Sequence, residues 1–349
     1  MTQTPLRVGI AGFGLVGKLR RDVMEARGDM TVVAVCDRRF GDEGEAEGKL
    51  PCGTPFYSHY SRVLEHNLDA LFVCISNDMA AEITRAGLEH GLHVFCEKPP
   101  GRDVADIQSV LDVQAKHPDL VLKYGFNHRY HDSVQDALEL VRSGGLGSVI
   151  NLRGIYGKSK IIDFRSPSHW RTKRELAGGG ILLDQGIHML DLMRLFGGEF
   201  EEVHSFISNA FWNHDVEDNA YALMRGTSGV VAMLHSSATQ WRHRFQLEIT
   251  LTEGTLVLSG ILTGSKSYGA ETLTVVTETD AGNGDPKETT TRYNRDESWQ
   301  REIAEFADAI AGKSAVENGT AEDAYKTMEL VYRIYCADPD WKSRWGLSS

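Results

Sequence analysis

From Val8 to about Phe126, short apolar runs alternate with stretches of helical spacing. Leu6–Ala11, Thr31–Cys36, Ala70–Ile75, His93–Cys96 and Leu120–Gly125 are rich in Val, Ile, Leu and Phe, as strands buried on both faces are. Between several of them lie helix-like segments such as Met79–His90 and Val104–Lys116. This alternation predicts a parallel sheet with helices on both faces. Asp42–Gly53, acidic and glycine-rich, reads as a loop or an irregular helix.

Past Arg129 the pattern changes. His131–Arg142 has helical spacing and stops at Gly144-Gly145; Ile181–Phe196 stops likewise at Gly197-Gly198. Val149–Tyr156 reads as a strand. Antiparallel pairs follow, Asn219–Arg225 with Val230–Ser236 and Arg244–Thr252 with Thr255–Leu258. Phe245, Leu247, Ile249 and Leu251 alternate with Gln246, Glu248 and Thr250, which marks one buried face. Val230–Leu234 is apolar on both sides, so part of this sheet is expected to be covered twice, by helices and by a second subunit. Ala281–Lys287 is a polar loop, and Ser298–Ala311 and Ala321–Ala337 close the chain as helices. No repeat or low-complexity tract is present. A chain of 349 residues exceeds one ordinary core, and the change of pattern divides it into an α/β domain at 1–126 and a second domain at 127–349.

Composition narrows the function. A net charge of −12 argues against a general nucleic-acid binder or an anionic-membrane binder. No run approaches the roughly 20 apolar residues of a membrane span. Glycine interrupts the apolar stretch after Arg7, and Lys18, Arg20 and Arg21 follow at once, so no targeting segment is read. The five cysteines show no paired metal spacing, and three sit inside apolar strand-like runs. That usage points to a reducing cytoplasm.

Candidate chemistry begins at Val8-Gly9-Ile10-Ala11-Gly12-Phe13-Gly14-Leu15-Val16-Gly17, a strand entering Gly-x-Gly-x-x-Gly. Gly12 permits the tight turn, Gly14 lets backbone approach a pyrophosphate, and Gly17 lets the helix lie close on the strand. The helix opening here aims unpaired N–H groups at a phosphate. Cofactor contacts are therefore expected from Gly12, Phe13, Gly14, Leu15 and Val16. The strand Thr31–Cys36 delivers Asp37 about 20 positions past Gly17, where an acid meets the ribose hydroxyls. Asp37 favours NAD by repelling a 2′-phosphate, while Arg38 and Arg39 stand close enough to accept NADP.

Two further stretches carry reactive groups. His93-Val94-Phe95-Cys96-Glu97-Lys98-Pro99-Pro100 ends a buried strand with Glu-Lys-Pro, placing Lys98 at a carboxyl end, where ligands of open parallel sheets gather. A solvated lysine capping a strand has the same signature. Gly178-Gly179-Gly180-Ile181-Leu182-Leu183-Asp184-Gln185-Gly186-Ile187-His188-Met189-Leu190-Asp191 sets Asp184, His188 and Asp191 on one helix face. A histidine flanked by carboxylates can take a proton near neutral pH. The same spacing serves a surface His–Asp pair, or a metal site for which no third ligand is recognisable.

Together these motifs (GFGLVG, VCD, HVFCEKP and GGGILLDQGIHMLD) resemble the glucose–fructose oxidoreductase / inositol dehydrogenase / MocA family. The resemblance covers nearly the whole chain. It implies an N-terminal Rossmann NAD(P)-binding domain and a C-terminal α+β domain with a large, mostly antiparallel open sheet used for homodimers or homotetramers. It implies Lys98, Asp184 and His188 as the catalytic group, with Glu97 and Lys98 near the cofactor. Trp170-Arg171 matches a recurring pair near cofactor or substrate, and Asn127 and Arg129 fall where the family lines its cleft. After the fourth strand the family usually has Thr-Pro-Asn-x-x-His; here Ile75-Ser76-Asn77-Asp78-Met79-Ala80 retains Asn77 alone, with Ser76 for the proline. Cofactor contacts are still expected from Ser76 and Asn77.

The expected function is NAD(P)-dependent hydride transfer at a hydroxyl-bearing carbon of a sugar or sugar derivative. His188 would accept the proton, Lys98 would stabilise the alkoxide, and Asp184 would fix the substrate hydroxyl and the imidazole. With a lowered pKa, Lys98 could be the acceptor instead. Between Arg153 and Arg174, seven cations, Lys158 and Arg171 among them, stand against Asp163 alone. The cluster suggests an anionic substrate such as a nucleotide sugar, or a loop whose charges pair with acids elsewhere. Two other functions suit the fold: a cofactor-loaded sensor without catalysis, and an NAD-dependent glycosidase working by transient oxidation.

Overall fold

A computed structural model describes residues 4–42, 46–159, 169–263, 268–279 and 284–348. By contact the chain forms two compact units, Met1–Phe126 with Trp299–Tyr325, and Asn127–Ser298 with Lys326–Ser349. Among the described residues no helix is long and apolar enough to cross a membrane.

The first unit is built on seven strands: β1 (Leu6–Ala11), β2 (Met30–Cys36), β3 (Glu47–Lys49), β4 (Pro55–Tyr57), β5 (Ala70–Val73), β6 (His93–Glu97) and β7 (Leu122–Gly125). They lie in the order β3-β4-β2-β1-β5-β6-β7. All neighbours run parallel except β3 against β4. The three-residue β3 falls inside Asp42–Gly53, where the sequence reads as loop or irregular helix. From β1 the chain passes to β2 on one side and later to β5 on the other, so a crevice opens at the carboxyl end of β1. Ala70, Leu71 and Phe72 of β5 and Val94, Phe95 and Cys96 of β6 are inaccessible, as the unbroken apolar runs require.

The helix Ser298–Ile310 differs from expectation. The sequence boundary assigns it to the second domain, yet Ile303, Phe306 and Ala307 belong to the core around Val8, Phe72 and Phe95. Phe306 meets Phe72 and Phe95 edge-on. The physical reason is that the amphipathic spacing of this helix announces a buried face but not which sheet receives it.

The second unit holds β8 (Val149–Ser159), β9 (Phe200–Ser208), β10 (Asn219–Gly226), β11 (Val231–Gln240), β12 (Arg244–Leu251), β13 (Gly254–Ser259), β14 (Glu271–Thr277) and β15 (Lys287–Tyr293). Their order is β15-β14-β13-β12-β8-β11-β10-β9. β8 and β11 run parallel, and every other pair is antiparallel. Leu152 and Tyr156 of β8, Leu234 of β11 and Leu247 and Ile249 of β12 point to one face, which is buried. Helix Ile187–Gly197 packs on β8 there, and helix Asp132–Ser143 on β14. The opposite face leaves Phe206, Tyr221, Leu223 and Met233 exposed. Within the single chain, then, helices supply one of the two covers that Val230–Leu234 calls for.

Candidate active site

The turn after β1 fits a dinucleotide. Gly12 has φ +95°, and a Cβ there would stand 2.1 Å from the Cys74 carbonyl oxygen; a Cβ at Gly17 would stand 2.0 Å from the Gly12 carbonyl oxygen. Only glycine brings strand, turn and helix this close. Helix Leu15–Arg27 follows, and its N-cap Gly14 offers no side-chain bond, so the first N–H groups remain for an anion. Phe13 is buried, Leu15 exposed and Val16 half-buried.

Asp37, at the end of β2, completes the seat. Its Oδ2 accepts the Phe13 N–H at 3.1 Å, and Arg39 holds both oxygens, Nε to Oδ1 at 2.8 Å and Nη2 to Oδ2 at 2.9 Å. Burial pushes this carboxyl up, but the Arg39 bonds and charge, with the Phe13 N–H, outweigh it and hold the group below its usual range. Arg39 is thus the arginine on the carboxylate, while Arg38 is exposed. Ser76 and Asn77, both buried, open helix Asn77–Glu89 after β5. A glycine-rich turn, free helix N–H groups and an ionised acid at the neighbouring strand end are the parts that would hold NAD.

Lys98 is half-buried at the end of β6, and its peptide bond to Pro99 is cis. Glu97 before it is anchored: Oε1 accepts Arg20 Nε at 2.7 Å. Arg20 also donates to Glu302 Oε2 at 2.5 Å and lies between the rings of Phe95 and Trp299, 4.4 and 4.3 Å from their centroids. Burial opposes the Arg20 charge, but Glu97 and Glu302 more than offset this and hold its pKa above the ordinary value. The Glu97 carboxylate is therefore committed to fixing the strand end that carries Lys98.

In the second unit the glycine run is dictated by Glu217. Its carboxylate accepts the N–H groups of Gly180 at 2.7 Å and Leu182 at 2.9 Å, and the hydroxyl of Tyr335 at 2.7 Å. A Cβ on Gly179 would stand 2.2 Å from the Tyr335 hydroxyl, and one on Gly180 2.1 Å from the Glu217 carbonyl oxygen. Burial pushes the Glu217 carboxyl up against these bonds. Out of this turn come a π-helical turn, Leu182–Gly186, and then helix Ile187–Gly197.

Asp184 lies on the π turn. Lys158 donates to its Oδ2 at 2.9 Å and Arg171 Nε to its Oδ1 at 3.3 Å, and the Arg171 guanidinium rests 4.3 Å over the Trp170 ring. His188 is buried, its ring stacked on His128 with centroids 3.8 Å apart and planes 13° from parallel. Asn127 directs its amide inward, accepting from His128 Nδ1 at 3.1 Å and donating to Ser298 Oγ at 3.2 Å.

One expectation is corrected here: Asp191 was expected to flank His188, and its carboxylate is taken instead by Arg129, which the resemblance set along a cleft. Both are buried and bound to each other, Nε to Oδ2 at 2.7 Å and Nη2 to Oδ1 at 2.6 Å. Helix Ile187–Gly197 is buried on all sides from Ile187 to Arg194, so Asp191 has no solvated face to occupy and takes a cation instead. The basic cluster also divides. Arg153 projects from the other face of β8 and pairs with Glu248 at 2.7 Å, whereas Lys158 and Arg171 share Asp184. Lys160, Asp163 and Arg165 lie outside the described residues. Sequence reasoning missed Arg20, His128 and Glu217. His128 stands between two residues that it did select, Asn127 and Arg129, while Glu217 carries no local signal.

The chain matches two family models, an oxidoreductase family with an NAD-binding Rossmann fold over residues 6–125 and a GFO/IDH/MocA C-terminal domain over residues 134–257. D-glucoside 3-dehydrogenase of Escherichia coli K12 is 29% identical over 356 residues, covering 96% of each chain. Myo-inositol 2-dehydrogenase of Thermotoga maritima is 27% identical over 237 residues, 66% of this chain and 68% of its own. A levoglucosan dehydrogenase solved with NADH and levoglucosan shares the fold with a TM-score of 0.81 at 21% identity, over 97% of this chain and 98% of that one. With both halves matched and the Rossmann seat in place, the chain belongs to the Gfo/Idh/MocA family of oxidoreductases and carries an NAD-binding Rossmann domain.

Proposed function

We propose that this protein oxidises a secondary hydroxyl of a sugar or cyclic polyol with NAD, Lys98, Asp184 and His188 forming its catalytic group. The observation that carries this reading is a carboxylate, Asp184, held by Lys158 and Arg171 one turn before the buried imidazole of His188. The named relatives, a glucoside and an inositol dehydrogenase, support the substrate class. The alcohol loses its hydroxyl proton and, from the same carbon, a hydride, leaving a carbonyl. When bound, NAD supplies the hydride acceptor. His188 takes the proton at a ring nitrogen, the Lys98 ammonium stabilises the developing alkoxide, and Asp184 accepts a hydrogen bond from a substrate hydroxyl. Trp170, stacked under Arg171, lines the sugar side.

Lys158 and Arg171 share one carboxylate, Asp184, which answers one of their two charges. The glucoside and inositol in the relatives' names are neutral compounds, which favours a neutral sugar over an anionic derivative. Asp37, held ionised, favours NAD over NADP. The exposed Phe206, Tyr221, Leu223 and Met233 support a homodimer or homotetramer through the second sheet. The five cysteines are free, which supports the reducing cytoplasm.

The test is nicotinamide absorbance with NAD or NADP against myo-inositol, a methyl D-glucoside, levoglucosan and a nucleotide sugar. Turnover of a neutral compound, lost in His188→Ala with NAD binding retained, is the expected result. Wild-type turnover in His188→Ala would remove that residue from the mechanism.

A further inference from the structure

The His128 ring is held at both nitrogens. Nδ1 stands 3.1 Å from Asn127 Oδ1 and Nε2 3.0 Å from the Tyr156 hydroxyl. The Asn127 amide nitrogen donates to Ser298 Oγ at 3.2 Å, and the Ser298 hydroxyl donates to Asp296 Oδ1 at 2.6 Å. That chain of donors fixes the oxygen of Asn127 as the atom facing His128. Nδ1 therefore carries a ring proton, and Nε2 is paired with the Tyr156 hydroxyl. Burial, with the Tyr268 side chain bonded beside it, pushes the Tyr156 phenol well up, so it remains protonated. The His128 ring is thus fixed at both nitrogens, and its flat face lies against His188 at 3.8 Å.

We propose that His128 is a positioning residue for this oxidation: its locked ring, stacked on His188, fixes the plane in which His188 receives the proton. The inference rests on the reading of His188 as proton acceptor. Rotation about the last bond of a histidine side chain is broad and roughly two-fold, so a buried imidazole needs a neighbour to select one orientation. A parallel ring at van der Waals distance does so, because turning out of the stack drives ring edge into ring face.

Two replacements of similar volume separate flatness from filling. Measured with NAD and whichever of myo-inositol, methyl D-glucoside and levoglucosan is turned over, His128→Leu should lower kcat about tenfold to a hundredfold, with the KM for NAD unchanged. His128→Phe keeps a flat face and should recover most of that loss. Equal losses in the two variants, or wild-type kcat in His128→Leu while His188→Ala is inactive, would overturn the positioning role. Wild-type kcat in His188→Ala, or no turnover of any of the three by the wild type, would instead bring down the underlying reading and the inference with it.

Discussion

Arg129 and Asp191, 62 positions apart, meet through two parallel bonds of 2.6 and 2.7 Å with both side chains buried. A third contact, from the Thr327 hydroxyl at 3.5 Å, reaches the same carboxylate. Such a pair costs much to desolvate and more to break. Arg129→Met should therefore lose about 3–5 kcal/mol of stability by leaving an uncompensated carboxylate. The double variant Arg129→Met/Asp191→Leu should lose less than either single change. Urea unfolding of the three proteins checks this, and a double variant worse than both singles would contradict it.

On the proposed reading, Asp37 sets the coenzyme preference. Asp37→Ser removes the charge that repels a 2′-phosphate while leaving Arg39 in place. The ratio of kcat/KM for NADP over NAD should rise by about tenfold or more, the equivalent of roughly 1.4 kcal/mol. An unchanged ratio would mean that Arg39 already cancels the carboxylate.

The turn before Asp184 tolerates no added atom. In Gly180→Ala the methyl group would meet backbone, the Glu217 carbonyl oxygen, at 2.1 Å. A loss of about 1–3 kcal/mol is expected, together with a fall in kcat as the Asp184 turn shifts. Tyr335→Phe removes only one of the bonds to Glu217 and should cost about 1 kcal/mol. Thermal melts read beside turnover distinguish the two.

Glu271 gives the protein an acid-sensitive lock. Burial raises its pKa, but His131 at 2.9 Å, the Leu262 N–H at 2.9 Å and the Ser133 hydroxyl at 2.7 Å outweigh this and hold it below the ordinary 4.5. Near that pH the unfolded chain binds a proton that the folded one refuses. The stabilisation is therefore complete above the ordinary value and is lost as pH falls through the folded one. Glu271→Gln should flatten the fall in urea midpoint below about pH 5. An acid limb as steep as the wild type's would exclude this carboxylate as its source.

In the first sheet the three-residue β3 and β4 left no run to read, while β1, β2, β5, β6 and β7 were legible because strands buried on both faces leave unbroken apolar runs. β9 and β15 were not: Glu201-Glu202 interrupts one, and Lys287–Tyr293 is polar almost throughout, as an exposed sheet edge allows. Asp184 and His188 stood out because four positions on a helix make neighbours. The same rule misjudged Asp191, whose partner comes from outside its helix. Glu217 and Arg20 left no trace, since each acts on residues far away in sequence, and a lone buried charge has no period to detect.

The π turn at Leu182–Gly186 carries one residue more per hydrogen-bonded ring than the helix after it. The interval between carboxylate and imidazole is consequently counted in a wider winding. Deleting any single residue there would tighten the coil and swing Asp184 around the axis, away from Lys158 and Arg171, while His188 stayed where its own helix sets it. The length of this segment is thereby tied to the carboxylate and the imidazole that it spaces.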